Sequence, residues 1–286
     1  KYEYSYGPQN WFEFTGNECR AARGGVAMFD QTSFAKFILE GRDAEAILNQ
    51  ICANNMSVPV GKLVYTQWLN ERGGIEADLT ITRIAEARFL IVTAFSTETR
   101  DFHWLQSHIP TNAHAVLTNV TSGMAVLSIM GPKSRDLLQS LTDSDMSHQA
   151  FPFCTSREID LAYAHVRASR ITFVGELGWE LYIPTEFAAG VYDVILEAGK
   201  AFELKHAGYH ALNSLRLEKG YRHWGHDITV DDTPLEAGLR FAVNFKKDGG
   251  FIGRDALLAQ KENGLKKRLV QFALHDPKAL MYHDEP

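Results

Sequence analysis

Residues 63–82 read LVYTQWLNERGGIEADLTIT, and two runs of alternating apolar and polar residues flank the turn at residues 70–74. Such alternation around a glycine-containing turn predicts an antiparallel β-hairpin. Because side chains alternate between the two faces of a strand, the second strand carries a polar face made of Glu76, Asp78, Thr80 and Thr82. From the pattern alone, a solvated face is the commoner explanation, and the alternative is that this face lines a cleft.

The register of this hairpin determines which side chain stands beside Asp78. One register places Tyr65 opposite Asp78, and a slip of one residue places Thr66 there instead. A slip of this size also turns every side chain of a strand to the other face. The sequence is compatible with both registers, so the neighbour of Asp78 is left open at this point.

Residues 171–184, ITFVGELGWELYIP, predict a second hairpin whose turn is bounded by glycines. Alternation places Glu180 and Tyr182 on one face of its second strand and an apolar set on the other face, Trp179, Leu181 and Ile183. A carboxylate on a rigid strand can accept two parallel hydrogen bonds from a planar pair of N–H groups on a heterocycle. An exposed strand carboxylate without a ligand is the commoner case, and the pattern does not separate the two.

The composition of the chain excludes several classes of protein. With 286 residues, 45% of them apolar and 22% charged, the chain has the balance of a soluble globular protein and the length for two domains. Its apolar runs fall far short of the roughly 20 residues that cross a bilayer, so no membrane span is predicted. A net charge of −6 without a long basic run argues against nucleic acid or an anionic membrane as a partner. The start of the chain lacks the features of a secretory signal, which predicts a cytoplasmic location, or the mitochondrial matrix in a eukaryote.

The cysteines and histidines form no recognisable disulfide or metal pattern. Cys19, Cys52 and Cys154 are widely spaced and share no CxxC motif, so neither a disulfide framework nor a thiolate metal site is predicted. Residues 209–228, YHALNSLRLEKGYRHWGHDI, predict a helix that runs into a loop rich in cations and aromatic residues. The HExxH spacing of a zinc site is absent around this segment, so no metal site is predicted for His206, His210, His223 and His226.

Helices and strands are interleaved along the whole chain, because the apolar period changes repeatedly between about 2 and about 3.6 residues. This order predicts the α+β class. The predicted helices cover residues 42–51, 97–108, 132–141, 186–201, 209–219 and 254–262. The predicted strands cover residues 34–39, 63–69, 75–84, 89–93, 113–119, 124–129, 159–168, 169–174, 179–183 and 269–274. GxGxxG and GxxxxGKS/T motifs are absent, so the chain itself is not expected to hold a flavin or a nicotinamide dinucleotide.

The two hairpins at residues 63–82 and 171–184 and the segment at residues 209–228 resemble the folate-dependent aminomethyltransferase family, whose founding member is the glycine cleavage T-protein. Residues 231–239, DDTPLEAGL, share this resemblance. The run SLRLEKGYRHWGHDI at residues 214–228, followed by TPLEAG at residues 233–238, is similar to the folate half of sarcosine and dimethylglycine dehydrogenases and oxidases. The resemblance covers nearly the entire chain, from residues 25–30 to residues 253–254. It implies interleaved domains, each of antiparallel sheet and helices, around a central folate site.

The resemblance also implies a division of the chain. Residues 1–48 and 111–205 would form the first folate-binding domain, and residues 49–110 and 206–250 would form the second. Residues 251–286, which end in the polar run 283–286, would begin a truncated C-terminal barrel and are too few for an independent core. Because the similar dehydrogenases carry a flavin oxidoreductase half, we expect this chain to be a module of a longer enzyme.

Individual residues acquire expected roles from the same resemblance. Asp78 matches the aspartate beside the reactive nitrogens of tetrahydrofolate, where it would orient the amine and take up its proton. Glu180 matches the glutamate that binds the pterin ring. The further expected folate-binding residues are Tyr65, which matches a tyrosine near the pterin in T-proteins, Phe173 and Tyr182. Charge alone suggests Arg216 and Arg222 as partners of the folate glutamate tail.

Three departures from the T-protein pattern bear on the reaction. Phe173 replaces a tyrosine, Leu212 an arginine and Ala94 an asparagine, and the last two count against the lipoamide-linked glycine cleavage role. We therefore predict an enzyme module that passes the one-carbon group of an imine from sarcosine or dimethylglycine oxidation to tetrahydrofolate, giving 5,10-methylenetetrahydrofolate. FAD would be bound only in a separate domain. The alternatives are a glycine cleavage aminomethyltransferase, a folate-dependent demethylase, and a non-catalytic regulatory module, since the same fold occurs in a phosphatase regulatory subunit.

Overall fold

The computed structural model describes residues 1–7, 9–276, 279 and 281. In this part of the chain the strands are β1 (Ala27–Asp30), β2 (Ala35–Glu40), β3 (Leu63–Leu69), β4 (Ile75–Ala85), β5 (Arg88–Thr93), β6 (Val116–Asn119), β7 (Met124–Met130), β8 (Ser156–Leu161), β9 (Ala164–Ser169), β10 (Gly178–Pro184) and β11 (Lys205–Ala207). The α-helices are α1 (Phe12–Gly24), α2 (Ala44–Ile51), α3 (Glu98–Ser107), α4 (Ser134–Gln139), α5 (Ala188–Gly199), α6 (Tyr209–Glu218) and α7 (Arg254–Asn263). The polar run at residues 283–286 lies outside the described residues.

Within the described residues, the strands form two sheets. The first sheet has the order β11-β1-β7-β10-β9-β8, and all neighbours are antiparallel except the parallel pair β1 and β11. The second sheet has the order β3-β4-β5-β2-β6 and is antiparallel throughout. The second sheet is therefore inserted in the chain between β1 and β7. Strand β2, which the expected division put in the first domain, pairs with β5 in the second sheet.

The two sheets lie face to face, with helices on their outer sides. Helices α4 and α5 pack on the outer face of the first sheet, to which β10 contributes Trp179, Leu181 and Ile183. Helices α2 and α3 pack in the same way on the second sheet. The inner faces meet in a smaller apolar cluster that contains Ile38, Leu90, Val126 and Tyr182. The fold is thus α+β, and polar side chains on the inner faces are held between layers instead of facing bulk water.

Two further segments pack on those parts of the sheets that lie outside the contact between the two sheets. Helices α1 and α6 pack against Phe29 and Met130 of the first sheet. Residues 224–257 contribute apolar side chains that pack against Leu69 and Ile75, at the turn end of the β3–β4 hairpin. The segment that follows α6 is therefore carried from the first sheet to the second.

The α+β class is confirmed, and several individual strand predictions are wrong. The predicted strand at residues 159–168 is two strands, because the chain reverses at Ala162, whose φ is 54°. The predicted strand at residues 169–174 ends with β9, and residues 170–177 form a loop that leads to β10. Helix α1 and strands β1 and β11 are absent from the predictions, because the strands are short and α1 buries only Ala22.

The C-terminal region consists of α7 followed by irregular chain. No strand forms at residues 269–274, so that prediction is wrong. No closed barrel is found in the part of the chain that the structure describes, and the truncated barrel stays a prediction. Among the helices of the described residues, none has the length and apolar character needed to pass through a bilayer.

Gly74 fixes the contact between the β3–β4 turn and the segment that covers it. A Cβ atom here would collide with the carbonyl oxygen of Val230, and Ile75 N next to it donates to the Asp232 carbonyl at 2.9 Å. We expect Gly74→Ala to lower the free energy of unfolding by about 1 to 3 kcal/mol, measured by urea denaturation. Gly123→Ala is the matched control, because nothing lies within 4 Å of a Cβ there. Equal stability of the two variants would contradict this account.

Candidate active site

Asp78 lies near the start of β4, on the inner face of the second sheet. Burial alternates along this part of the strand, with Ile75, Ala77 and Leu79 buried and the polar residues between them half-buried, so the two predicted faces are confirmed. The pairing of β4 with β5 begins only at Thr80, and Asp78 therefore has a strand neighbour on the β3 side alone. The polar face thus lies on the side of the sheet away from helices α2 and α3.

Gln67 is the residue opposite Asp78, so both registers predicted from the sequence are wrong. The cause is a β-bulge between Trp68 and Leu69, which leaves one residue of β4 without a partner and shifts the pairing by one. Without the bulge, pairing from the turn would place Thr66 opposite Asp78. A single irregularity in the ladder therefore decides which side chain touches the carboxyl group.

Three side chains surround the Asp78 carboxyl group. Gln67 Nε2 donates to Oδ1 at 2.8 Å. The hydroxyl of Tyr65, two residues from Gln67 on the same face, and the guanidinium group of Arg222 are near enough to lower the pKa of the carboxyl group. The structure therefore brings Tyr65 and Arg222 together with Asp78. It also adds Gln67, which nothing in the alternation of β3 distinguishes from its neighbours.

Burial raises the pKa of Asp78 to about 6. The hydrogen bonds from Gln67 and Tyr65 and the charge of Arg222 lower the pKa, because they favour the ionised form. Burial, together with the nearby charge of Asp78, raises the pKa of Tyr65 far above its usual value, so its hydroxyl remains protonated at neutral pH. Asp78 is thus ionised but readily protonated near neutral pH, as a general base requires.

We expect Asp78→Asn to stabilise the fold at pH 7.5 by about 1 to 2 kcal/mol, because the pKa of Asp78 is raised from 3.8 to about 6 on folding. The folded chain holds the proton more tightly than the unfolded chain, so ionisation of Asp78 costs stability as the pH rises through this range. Urea denaturation across pH measures the difference, which should be full above about pH 6 and absent below about pH 4. If Asp78→Asn is still more stable than the wild type below about pH 4, the stabilisation has another cause than the ionisation of Asp78.

Glu180 lies on β10, on the inner face of the first sheet beside Tyr182. The Tyr182 hydroxyl donates to Glu180 Oε2 at 2.7 Å, and no hydrogen bond from the described part of the chain reaches Oε1. The predicted faces of β10 are confirmed, because the alternate residues lie in the outer apolar cluster. Burial raises the pKa of Glu180, and the hydrogen bond from Tyr182 opposes that rise. One carboxyl oxygen is therefore held by the protein, and the other is available to a ligand.

Two buried serines flank Glu180 in the sheet, and the sequence analysis did not identify them. Ser128 of β7 and Ser169 of β9 stand directly opposite Glu180 in the two neighbouring strands. Ser128 Oγ donates to Gln31 Oε1, and Ser169 Oγ donates to Ser156 Oγ at 2.9 Å. Because buried hydroxyls are costly without partners, these bonds let the inner face stay polar across four adjacent strands.

The two arginines expected at the folate tail have different surroundings. Arg216 is buried, forms an ion pair with Asp227 and donates from Nε to Asn213 Oδ1 at 2.8 Å. The guanidinium group of Arg216 therefore stabilises the fold through these two contacts. Arg222 is half-buried and lies close enough to Asp78 to lower its pKa. The structure thus places Arg222, in the loop after α6, near the catalytic candidate, whereas Arg216 lies within α6 and is paired inside the fold.

Aromatic rings flank the same region. Phe173 lies in the loop before β10 and stacks on Tyr221, with ring centroids 6.2 Å apart. Phe241, which is 73% exposed, stacks on Tyr65 at 6.0 Å. An exposed aromatic ring beside the Asp78 cluster offers apolar surface to a flat ligand. Nothing in the sequence distinguishes Phe241, because a lone phenylalanine in a short 3-10 helix carries no pattern.

Comparison with known proteins identifies the family to which this arrangement belongs. Residues 2–247 match the GCVT N-terminal domain family. The chain belongs to this family. The resemblance to the aminomethyltransferases that the sequence motifs indicated is thereby confirmed for most of the chain.

Relatives of this GCVT domain include two proteins named for oxidation reactions. The domain is 44% identical over 284 residues to the 4-methylaminobutanoate oxidase (formaldehyde-forming) of Paenarthrobacter nicotinovorans. This alignment covers 99% of the chain and 34% of that protein. It is 40% identical over 290 residues to the mitochondrial sarcosine dehydrogenase of Homo sapiens, and this alignment covers 96% of the chain and 31% of that protein. The chain therefore spans about a third of the length of these relatives.

A solved structure shares the fold of this GCVT domain. The glycine cleavage system aminomethyltransferase T from Bartonella henselae matches it with a TM-score of 0.78 and 26% sequence identity. The match covers 92% of the present chain and 72% of that one. The two-sheet arrangement that encloses Asp78 and Glu180 is therefore an aminomethyltransferase fold.

The histidines considered for a metal site lie in two places, and His223 and His226 are neighbours with ring centroids 5.3 Å apart. Among the residues that the structure describes, no group of three or more His, Cys, Asp or Glu side chains could hold a metal ion. His206 Nε2 and the Tyr192 hydroxyl form a hydrogen bond of 2.8 Å, and His210 stacks on Trp11. These two histidines therefore contribute to packing around α1, α5 and α6.

Proposed function

We propose that this GCVT domain captures a one-carbon group on tetrahydrofolate and releases 5,10-methylenetetrahydrofolate. The donor is the N-methylene imine that forms when sarcosine or dimethylglycine is oxidised. The observation that carries the proposal is the Asp78 carboxyl group, whose pKa lies near 6 and which accepts a hydrogen bond from Gln67 on an enclosed polar face. Names of the relatives support this class of donor, because both refer to the oxidation of N-methyl compounds.

The side chains at the site fit a reduced pteridine that carries a p-aminobenzoyl-glutamate tail. Glu180 Oε1 can accept hydrogen bonds from the N–H edge of the pyrimidine ring, while Oε2 is held by Tyr182. Tyr65 and Phe241 offer aromatic surface near Asp78. Arg222 supplies positive charge for a carboxylate of the tail. Arg216 is not part of the proposed site, because its guanidinium group is already used by the fold.

Acid–base chemistry in this proposal rests on Asp78. When bound, tetrahydrofolate would supply two amine nitrogens, each of which loses a proton as it bonds to the transferred carbon. Asp78 would accept these protons in turn and pass both to the amine of the donor, which leaves in its protonated form, so that protons balance over the reaction. The negative charge of Asp78 also stabilises a cationic imine beside it. Gln67 holds the carboxylate by a hydrogen bond before the donor arrives.

A partner domain completes the proposal. Formation of an imine from an N-methyl amine requires a two-electron oxidant, which the proposed chemistry of this chain does not supply. We place FAD in a separate flavin oxidoreductase domain of a longer protein, in line with the share of the relatives' length that this chain spans. The GCVT domain would then receive the imine and prevent its hydrolysis to formaldehyde.

Isothermal titration calorimetry with tetrahydrofolate tests the proposal. We expect one binding site per chain. We also expect 5,10-methylenetetrahydrofolate to form faster than in buffer when formaldehyde and glycine are supplied, because their condensation generates the same imine that sarcosine oxidation gives. A chain that does not bind tetrahydrofolate would rule the proposal out. Binding without any acceleration would favour the regulatory alternative.

The donor separates this proposal from its enzymatic alternatives. An aminomethyl group on a lipoyl carrier would be the donor for a glycine cleavage aminomethyltransferase, a role that the fold match with the Bartonella henselae protein favours. Methoxylated or sulfonium compounds would be the donors for a demethylase. Product formation with the glycine imine and with neither of the others is the result that we expect.

A further inference from the structure

We propose that Gln67 is a positioning residue that keeps the Asp78 carboxyl group ionised at the pH where it must accept a proton. The inference deepens the proposed function and rests on it for its catalytic meaning. Its physical content concerns two neighbouring side chains of this chain and can be measured without any ligand.

Gln67 meets Asp78 through the backbone geometry of the sheet. It stands directly opposite Asp78 in the ladder of β3 and β4, and its side chain has no exposed surface. Gln67 Nε2 donates to Asp78 Oδ1 at 2.8 Å. Directly opposite residues are the closest side-chain neighbours across a sheet, so the two groups meet without any contribution from a mobile loop.

The other end of the Gln67 amide has no partner. Within the described residues, Oε1 is buried and accepts no hydrogen bond. A buried carbonyl oxygen without a donor destabilises a fold, and rotating the amide would be worse because Oε1 would then face the Asp78 carboxylate. Leucine or methionine would fill a similar volume without this penalty. What glutamine supplies, and an apolar side chain does not, is the N–H group directed at Asp78.

This N–H group opposes the effect of burial on Asp78. Removal from water favours the protonated carboxyl group, and a hydrogen bond donated to the carboxylate favours the ionised one. The groups that act on Asp78 in this direction are Gln67, Tyr65 and Arg222, and the hydrogen bond from Gln67 has the largest effect of the three. Without Gln67, Asp78 would be protonated over more of the neutral pH range and could not accept a proton from the attacking amine.

Titration by NMR of the chain with 13C-labelled aspartate carboxyl groups measures this effect in the absence of folate. We expect the midpoint of the Asp78 signal, assigned by its loss in Asp78→Asn, to move upward by about one pH unit in Gln67→Leu. Gln50→Leu is the matched control, because Gln50 lies on an exposed position of α2, and it should leave the midpoint unchanged. An unchanged midpoint in Gln67→Leu overturns the proposal.

A second variant covers the case in which Gln67→Leu does not fold. Gln67→Met has an unbranched side chain of similar length and should give the same upward movement of the midpoint. Failure of both variants to fold would also overturn the proposal, because Gln67 would then be required by the fold itself. Normal thermal stability of either variant, with a raised midpoint, is the expected combination.

The pH dependence of one-carbon transfer separates this role from a structural defect. If the midpoint rises from about 6 to about 7, Gln67→Leu should be about fivefold slower than the wild type at pH 6, and the difference should vanish by pH 9. A displaced site would be slow at every pH, and that result would count against the proposal. If the wild type itself does not catalyse transfer, the proposed function fails, while the NMR titration still decides the role of Gln67.

Discussion

Replacement of Asp78 by asparagine is expected to slow one-carbon transfer at least about a hundredfold at pH 7.5 and to leave the affinity for tetrahydrofolate almost unchanged. Asparagine has nearly the same shape, and its oxygen can accept the hydrogen bond that Gln67 Nε2 now donates to Oδ1. It cannot take up a proton and carries no charge to stabilise a cationic imine. The rate of 5,10-methylenetetrahydrofolate formation from formaldehyde and glycine, corrected for the reaction in buffer, measures the loss.

Asp143→Asn is the control for this experiment, because Asp143 is an exposed aspartate in the loop after α4. It should retain the full rate. A wild-type rate in Asp78→Asn would show that Asp78 is not the base, and the proposed function would lose the observation that carries it. Calorimetry completes the comparison: if folate binding disappears together with the rate, Asp78 is a ligand contact and not primarily a proton acceptor.

The expected stabilisation of the same variant makes the experiment more decisive. Asp78 is ionised in a place where burial raises its pKa to about 6, so its charge costs folding stability at neutral pH. A variant that is more stable and less active cannot owe its loss of rate to unfolding. The trade-off is common where an active site requires a group that the surrounding fold does not favour.

The faces of β4 and β10 could be predicted from the sequence because they depend on a local property. Alternation along a strand assigns each side chain to a face, and it correctly separated Glu180 and Tyr182 from Trp179. The same rule placed Asp78 on a polar face of β4. Alternation does not indicate which layer covers that face. The contact between the two inner faces depends on the insertion of one sheet in the chain between β1 and β7.

The partner of Asp78 could not be predicted, because the register depends on an irregularity. The β-bulge at Trp68 and Leu69 has no signature in a run of alternating residues, yet it replaces Thr66 by Gln67 opposite Asp78. Gln67 itself looks like any other polar residue of a strand. Only the pairing shows that it is buried and directed at a carboxyl group.

The arginines show the limit of reasoning from charge. Arg216 and Arg222 lie in one basic segment, and their charges give no reason to treat them differently. The structure pairs Arg216 with Asp227, which the chain brings back to the end of α6, and it leaves Arg222 near Asp78. Which cation is neutralised within the fold is decided by loop conformation, which one sequence does not reveal.

Glu180→Gln is expected to weaken the binding of tetrahydrofolate by about 10- to 100-fold, measured by calorimetry at pH 7.5. A carboxylate can accept from both N–H groups of an aminopyrimidine edge, and the amide that replaces it offers only one acceptor and sets an N–H group against a donor. The glutamine oxygen can still accept the hydrogen bond from Tyr182, so the local packing of β10 should be retained. Because burial raises the pKa of Glu180, the variant should be at least as stable as the wild type.

Two comparisons determine what a loss of affinity in Glu180→Gln means. Glu186→Gln makes the same chemical change on an exposed side chain just beyond β10 and should bind tetrahydrofolate normally. Tyr182→Phe removes the donor to Oε2 and leaves the carboxylate in place, so it should cost less affinity than Glu180→Gln. If Glu180→Gln binds as tightly as the wild type, the polar row of β10 does not hold the pyrimidine edge. The ligand would then have to be oriented by Asp78 of the second sheet and by Arg222 of the loop after α6, whose charge lowers the pKa of Asp78.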